Sequence, residues 1–278
     1  MTSDRGGPRT LLLFAMKREA APLVARLQPA WLEQYRTFAF LKSLPDPADF
    51  IEPTAEDVIF DFTGVGRSAA RGTCERLLAS FPSLQFVIAA GYCGALRSEH
   101  PVGTVAVPTE VIDEQGRTWP CVEWRPPWEG EAPAKPRCGE DEPRPSSVQL
   151  GSAGASPSQR GKASRLLTAS RVIGDPGEKR KLGDRLQADF VDMESAAIAE
   201  LCAERSIPFA AVRAVTDSCD TALSPELVRL LSGGNVSVWR ALKSLVWKPA
   251  LFREFLRLRR DTNLASRKLA EALAPMLG

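Results

Sequence analysis

The sequence is poor in histidine: His100 is the only one among 278 residues. A histidine-based metal site or catalytic triad would therefore have to use His100. Because His100 follows an acidic turn, we expect it to be solvated rather than catalytic. We accordingly expect no metal site and no organic cofactor.

Long apolar runs are also missing. No segment approaches the roughly 18 consecutive apolar residues that span a membrane. The polar start, residues 1–8, lacks the apolar stretch of a signal peptide. The six cysteines form no C-x-x-C pair, so we expect reduced thiols in a cytoplasmic protein.

The chain has little excess charge, since 36 Lys and Arg residues face 34 Asp and Glu residues. A formal net charge of +2 excludes an overall nucleic-acid-binding charge profile, and we expect no nucleic-acid partner. One segment is distinctly basic, the predicted helical tail 237–278. A basic amphipathic helix can make weak contact with an anionic membrane surface. We favour packing on its own domain, with the charged face in water.

Proline is distributed unevenly. Residues 125–163 hold seven of the 22 prolines and almost no branched aliphatic side chains. Such a segment cannot bury enough apolar surface to offset its ordering entropy, which predicts a disordered insertion. The remaining 239 residues suit one domain, so we predict a single domain over 9–278, interrupted by 125–163.

Outside that segment, short apolar strands alternate with amphipathic helices. The predicted strands are 10–14, 57–62, 84–90, 102–108, 166–169 and 208–215. The predicted helices are 19–27, 68–80, 195–204 and one that begins at 225, and 91–94 is a predicted turn. This alternation predicts an α/β fold, a three-layer α/β/α sandwich around a mostly parallel mixed sheet.

Polar residues follow several of these strands, where ligands gather in α/β sheets. Four are carboxylates: Glu19, Asp192, Glu194 and Asp217. We expect Asp192 to cap the helix that begins at 195. Glycines near these positions let backbone amides approach a ligand closely. Several carboxylates without histidine suit acid/base chemistry on a neutral, hydroxyl-rich substrate.

Taken in order and spacing, five segments resemble the nucleoside phosphorylase superfamily, and within it the methylthioadenosine/S-adenosylhomocysteine nucleosidases. They are FAMKREAAPL (14–23), FTGVGRSAA (62–70), FVIAAGYCGAL (86–96), VGTVAVPTEV (102–111) and FVDMESAAIAELCAERSIPFAAVRAVTDSCD (190–220). The tail from 223 onward resembles a subgroup of bacterial phosphorylase-like proteins, some of them associated with hopanoid pathways.

The resemblance implies cleavage of the N-glycosidic bond of a purine nucleoside of the adenosyl type. Asp217 matches the acid that protonates the leaving base at its imidazole nitrogen. Glu19 matches the carboxylate that positions and deprotonates the attacking water. The remaining matched positions imply substrate contacts: Thr63, Gly64, Gly91, Tyr92, Met193 and Glu194.

Within that set, Glu194 matches the residue that binds the ribose hydroxyls, and Met193 the residue that packs against the sugar. Thr63 and Gly64 lie near the nucleophile and ribose, whereas Gly91 and Tyr92 border the base pocket. The family also implies a homo-oligomer.

Two departures bear on the nucleophile. Hexameric phosphorylases of the superfamily carry arginines at the positions of Glu19 and Ala89. An anionic Glu19 would repel phosphate, which favours hydrolysis. Arg18 and Arg67 keep open a phosphate-dependent phosphorylase with phosphate as co-substrate. A third alternative is a non-catalytic nucleoside-binding or membrane-associated protein.

Overall fold

The computed structural model describes residues 9–26, 58–122, 164–232 and 249–276. The predicted insertion 125–163 lies outside the described residues, as do residues 237–248 of the predicted basic tail. The bounds of the strands and helices below refer to the described parts of the chain.

Strands and helices alternate in the first and last parts of the described chain, as the apolar pattern predicts, but five strands between residues 86 and 168 follow one another with no described helix between them. The strands are β1 (Thr10–Phe14), β2 (Val58–Phe62), β3 (Phe86–Ala95), β4 (Val105–Ala106), β5 (Glu110–Asp113), β6 (Thr118–Pro120), β7 (Arg165–Thr168), β8 (Phe190–Asp192) and β9 (Phe209–Asp217). The helices are α1 (Lys17–Val24), α2 (Arg67–Ser80), α3 (Pro176–Leu186), α4 (Ser195–Glu204), α5 (Pro225–Ser232) and α6 (Pro249–Leu273), followed by a 3₁₀ turn at Ala274–Met276.

All described strands belong to one mixed sheet. Its order is β2-β1-β3-β8-β7-β5-β6, and β9 pairs with both β3 and β4. Five pairings are parallel: β1 with β2, β1 with β3, β3 with β9, β5 with β7, and β7 with β8. The other three, β3 with β8, β4 with β9 and β5 with β6, are antiparallel. The predicted mostly parallel mixed sheet is confirmed.

Helices cover both faces of this sheet, which explains why its strands are apolar throughout rather than alternating. Leu11 and Leu13 of β1 belong to the core shared with α2 and α4. Leu12 and Phe14, which point to the opposite face, belong to the core shared with α1 and α6. The α/β/α layering expected from the sequence follows from this two-sided burial.

The C-terminal helix α6 packs on the domain. Ala265, Leu269, Ala270 and Leu273 are buried in the same core as β1 and α1. Other apolar residues of this helix, among them Phe252, stay exposed. Among the described residues, no helix combines the length and the apolar character needed to cross a membrane.

Two local expectations are wrong. The predicted turn at 91–94 is strand, since β3 continues to Ala95 and pairs with β9 and β8 there. His100 is not solvated but 6% exposed. Its ring centroid lies 4.4 Å from that of Phe190, and its Nε2 lies 3.8 Å from Asp189 Oδ1. An apolar ring and a carboxylate thus surround the imidazole and replace water.

Candidate active site

Glu19 and Arg213 converge on Gly91, in the middle of the sheet. A Cβ atom added at Gly91 would lie 2.7 Å from Glu19 Oε1 and 2.5 Å from Arg213 Nη1. Arg213 is the direct partner of Gly91 across the parallel β3–β9 pairing. The glycine is therefore needed for the space it leaves to two charged side chains.

Glu19 is the third residue of α1 and is buried, with 2% of its surface exposed. Its Oε2 accepts a hydrogen bond from the Met16 amide at 2.8 Å, as a carboxylate in a first helical turn often does. Its Oε1 accepts from the Tyr92 amide at 3.0 Å. Burial raises the pKa of Glu19 above its ordinary value, although Arg213 and the backbone amides oppose that change.

Arg213 lies within β9 and is 1% exposed. Its Nη2 is 2.6 Å from Asp192 Oδ2 and donates to Ser195 Oγ at 2.7 Å. Burial alone would lower the pKa of Arg213, but the carboxylates of Asp192, Glu194 and Glu19 outweigh it and raise the pKa. The guanidinium is therefore a permanent positive charge among three acids.

Asp192 anchors that charge to the next helix. The N-cap residue of α4 is Glu194 rather than the predicted Asp192, but Asp192 Oδ2 accepts a hydrogen bond from the Ser195 amide, the first of the helix, at 3.0 Å. Asp192 Oδ1 accepts from Thr168 Oγ1 at 2.7 Å. With these hydrogen bonds and the ion pair to Arg213, the carboxylate is turned into the protein.

Glu194 joins the same cluster from the start of α4. Its Oε1 accepts from the Gly66 amide at 2.9 Å. Gly66 precedes α2 with φ +94°, a left-handed conformation that glycine adopts without a steric penalty. Burial, with Asp192 as the next cause, raises the pKa of Glu194 to about 7.

Asp217 ends β9 at an irregularity in the pairing. Val215 pairs with Cys93 and Asp217 with Gly94, so Thr216 is an extra residue on β9. Such bulges change the direction of the following side chain. A Cβ at Gly94 would lie 2.9 Å from Asp217 Oδ2, so this second glycine of β3 leaves room for the carboxylate.

The two glycines place Glu19 and Asp217 along one strand. Gly91 and Gly94 are three residues apart in β3, which is about 10 Å in an extended chain. Each glycine thus marks the place of one carboxylate along β3. The burial of Glu19 contrasts with a side-chain exposure of 15% at Asp217.

The remaining predicted residues surround this strand. The Thr63 amide donates to Phe14 O at 2.8 Å and the Gly64 amide to Ala15 O at 3.1 Å, which joins the ends of β1 and β2. Met193 is half-buried beside Glu194. The Tyr92 hydroxyl lies 2.5 Å from Ser266 Oγ of α6, and burial raises the pKa of Tyr92 to about 12.

Sequence analysis missed two charged residues here, Arg213 and Lys179. Arg213 had a signal, because it is the one charged residue between Pro208 and Thr216, in the middle of a predicted buried strand. Lys179 had almost none, because it lies in a helix with several other basic residues. Lys179 is completely buried, with its Nζ 2.5 Å from Asp217 Oδ2.

A second polar cluster lies apart from these residues. Glu99, His100 and Asp189 bring one ligand atom each within 4.8 Å of one another. Glu99 and Asp189 also line a cavity of about 350 Å³, together with Arg97 and Arg165. The Arg165 amide already donates to Asp189 Oδ2 at 3.0 Å. Asp189 thus already contacts the Arg165 amide and the His100 ring, and the cavity shares no residue with the Glu19–Asp217 site.

Comparisons with known proteins agree with this fold. Residues 15–232 match the sequence profile of the phosphorylase superfamily. The chain therefore belongs to the phosphorylase superfamily, as the sequence predicted. The predicted enzyme class, which cleaves N-ribosyl bonds, is confirmed with it.

Solved structures of nucleosidases share the fold at low sequence identity. A 5′-methylthioadenosine/S-adenosylhomocysteine nucleosidase from S. pneumoniae superimposes with a TM-score of 0.58 at 12% identity, covering 97% of this chain and 98% of that one. The corresponding Helicobacter pylori enzyme gives 0.57 at 13% identity, covering 98% of both chains. Futalosine hydrolase of Helicobacter pylori gives 0.55 at 13%, covering 97% of both. No curated protein sequence matches significantly.

Proposed function

We propose that the protein hydrolyses the N-glycosidic bond of a purine nucleoside of the adenosyl type. The observation that carries this proposal is the pair of carboxylates held over two glycines of one strand, Glu19 over Gly91 and Asp217 over Gly94. Gly91 and Gly94 are about 10 Å apart along β3, and the substrate is proposed to lie at this end of the strand, with its sugar toward Glu19 and its base toward Asp217.

In the proposed reaction, ionised Glu19 orients a water molecule toward the anomeric carbon of the sugar and takes up one of its protons. Protonated Asp217 donates its proton to an imidazole nitrogen of the purine. The carbon–nitrogen bond breaks with its electron pair on the base, while the water oxygen bonds to the sugar. General acid and base groups of this kind typically contribute 10²–10⁴-fold in rate each.

Charge near the sugar also supports the proposal. An oxocarbenium-like transition state carries positive charge, and a low-dielectric site with fixed carboxylates stabilises it. The buried cluster holds three acids, Glu19, Asp192 and Glu194, and one compensating cation, Arg213. With all four groups ionised, the cluster has an excess of negative charge. Met193 and the Glu194 carboxylate are proposed to contact the ribose, and Thr63, Gly64, Gly91 and Tyr92 to complete the pocket.

Two arginine positions favour water over phosphate as the nucleophile. Arg67 lies near Asp113, with its Nη2 3.9 Å from Asp113 Oδ2. Arg18 is exposed. Among the described residues, the buried arginine is Arg213, whose charge is already compensated by Asp192. The proposed reaction therefore needs no phosphate and no cofactor.

The adenosyl preference rests on the solved relatives, two of which are nucleosidases of 5′-methylthioadenosine and S-adenosylhomocysteine. The test is release of free base from 5′-methylthioadenosine, S-adenosylhomocysteine, adenosine, inosine and futalosine, with and without inorganic phosphate. We expect release of adenine without phosphate. Strict dependence on phosphate would establish a phosphorylase instead.

Asp217→Asn is the matched variant, because it keeps the size of the side chain and removes the acid. We expect its kcat to fall at least 100-fold. Asp220→Asn is the control, since Asp220 is exposed and pairs with Arg180 at the surface. If neither the wild type nor any variant releases a base, yet adenine binds, the protein is a nucleoside-binding protein without catalysis.

We propose that the protein is a cytoplasmic homo-oligomer, as the sequence predicts. Met16 and Val65, which follow β1 and β2 at the edge where the site lies, are 41% and 37% exposed. We propose that a second subunit covers them, since the resemblance to the family implies a homo-oligomer. Light scattering coupled to gel filtration measures the assembly, and vesicle sedimentation tests the predicted weak membrane contact of 237–278.

A further inference from the structure

Lys179 of α3 is a buried cation that the proposed reaction does not use directly. It is completely buried, although lysine is almost never buried without a partner. Its Nζ donates to Asp217 Oδ2 at 2.5 Å, to Ser218 O at 3.0 Å and to Thr221 O at 3.3 Å. These three acceptors match the three protons of an ammonium group.

The contacts divide the Asp217 carboxylate into two unlike edges. Oδ2 lies against Lys179 and Gly94, inside the protein. Oδ1 accepts a hydrogen bond from Thr216 Oγ1 at 3.0 Å, and the side chain as a whole remains 15% exposed. A ligand can therefore reach this carboxylate only at the edge that Lys179 does not occupy.

The position of Lys179 is itself fixed by its helix. Asp175 caps α3 by accepting a hydrogen bond from the Glu178 amide at 2.7 Å, one residue before the lysine. Leu182 and Gly183, one turn further on, are buried on the same side of α3. The ammonium group therefore has little freedom to leave Asp217, and it holds the backbone of 218–221 at the same time.

We propose that Lys179 is a positioning residue for Asp217. Its effect on the reaction is limited to the protonation of the leaving base. This inference rests on the proposed function. Lys179 keeps its three protons throughout; the proton that reaches the base comes from Asp217, which is reprotonated from solvent after the base leaves. A misplacement of about 1 Å of a catalytic group can cost about 100-fold in rate.

The test compares two substrates. One is 5′-methylthioadenosine or whichever nucleoside of the panel is cleaved, whose base needs a proton. The other is 4-nitrophenyl riboside, whose nitrophenolate leaves without one. For Lys179→Met we expect kcat on the nucleoside to fall 10- to 100-fold, with KM within about threefold, and kcat on the nitrophenyl riboside to stay within about threefold.

A double-mutant cycle on the nucleoside gives a second readout. If Lys179 acts through Asp217, Lys179→Met in the Asp217→Asn background lowers kcat no further than Asp217→Asn alone. Lys181→Met is the control, because Lys181 lies in the same helix but is exposed. If Lys179→Met does not fold, Lys179→Gln, which keeps a hydrogen-bond donor, replaces it in both readouts.

Equal losses on both substrates, or additive losses in the cycle, would overturn the positioning role and leave the proposed function standing. A wild-type protein that cleaves neither substrate overturns the proposed function itself. If only the nucleoside is cleaved, the cycle alone decides the role of Lys179.

Discussion

Arg213 and Asp192 form a buried ion pair in which Arg213 Nη2 lies 2.6 Å from Asp192 Oδ2. The pair connects β9 to the end of β8 and the start of α4, and the same guanidinium lies over Gly91 beside Glu19. A structural contact and the candidate site thus share one side chain. Replacing Arg213 should therefore affect stability and activity together.

Replacing Arg213 should destabilise the fold strongly. In Arg213→Met, Asp192 loses its buried partner, and breaking a buried pair in this way typically costs 3–5 kcal/mol. Arg213→Lys keeps the charge but loses the planar geometry, so we expect a smaller loss of stability. Urea unfolding followed by circular dichroism measures the free energy of unfolding of both variants. Equal stability of Arg213→Met and the wild type would contradict the proposed importance of the pair.

Replacing Glu19 should remove the base. We expect Glu19→Gln to lower kcat at least 100-fold, with little change in melting temperature. Glu19 works as a base only when it is ionised, and burial raises its pKa. As pH is lowered, kcat/KM of the wild type should therefore begin to decrease at a pH above 4.5. Glu75→Gln on the exposed face of α2 is the control. A profile that stays flat down to pH 4.5 would argue against Glu19 as the base.

The stability of the folded protein should decrease as pH rises, because of Glu194. Its pKa is about 7 in the folded protein against 4.5 ordinarily, so the folded state binds the proton more tightly. The folded state therefore loses stability as pH rises from about 4.5 through 7. Glu194→Gln removes this loss, and its melting temperature should exceed that of the wild type at pH 8 but not at pH 4. Thermal unfolding across pH 4–8 measures the difference, and a constant difference would contradict the shifted pKa.

Two glycines provide a matched test of packing at the site. Gly91→Ala puts a methyl group within 3 Å of both Arg213 and Glu19, so one or both must move, and we expect stability and kcat to fall together. Gly72→Ala, in helix α2, has no atom within 4 Å of the new methyl group. It should stabilise the protein by about 0.5–1 kcal/mol through helix propensity. Urea titrations measure the free energy of unfolding of both variants. If Gly91→Ala kept the stability and kcat of the wild type, Arg213 and Glu19 would be able to move without cost.

Much of the fold was predictable because its signals are local. Leu11 to Phe14 are apolar at every position, which indicates a strand buried on both faces, and the structure buries all four. The error at 91–94 arose because glycine indicates a turn in most contexts, whereas here Gly91 and Gly94 leave space for side chains from β9 and α1. Only the neighbouring elements distinguish these two uses of glycine.

The candidate site was predictable in part. Glu19 and Asp217 were found through resemblance to a family, and the structure holds them over two glycines of one strand, β3. Arg213 and Lys179 were missed, and His100 was expected in solvent, for one physical reason. Whether a charged or polar side chain is buried depends on partners that are distant along the chain, such as Asp192 for Arg213 and Asp217 for Lys179.

By itself, the sequence determined the class of fold and the candidate carboxylates, because continuous apolar strands and motif spacing are properties of neighbouring residues. Only the tertiary structure decided which charged side chains are buried. A buried cation is tolerated only where carboxylates and carbonyls from other elements replace its hydration. The single histidine illustrates this difference: its scarcity pointed to a carboxylate-based site from the start, but its burial against Phe190 and Asp189 became apparent only in the folded chain.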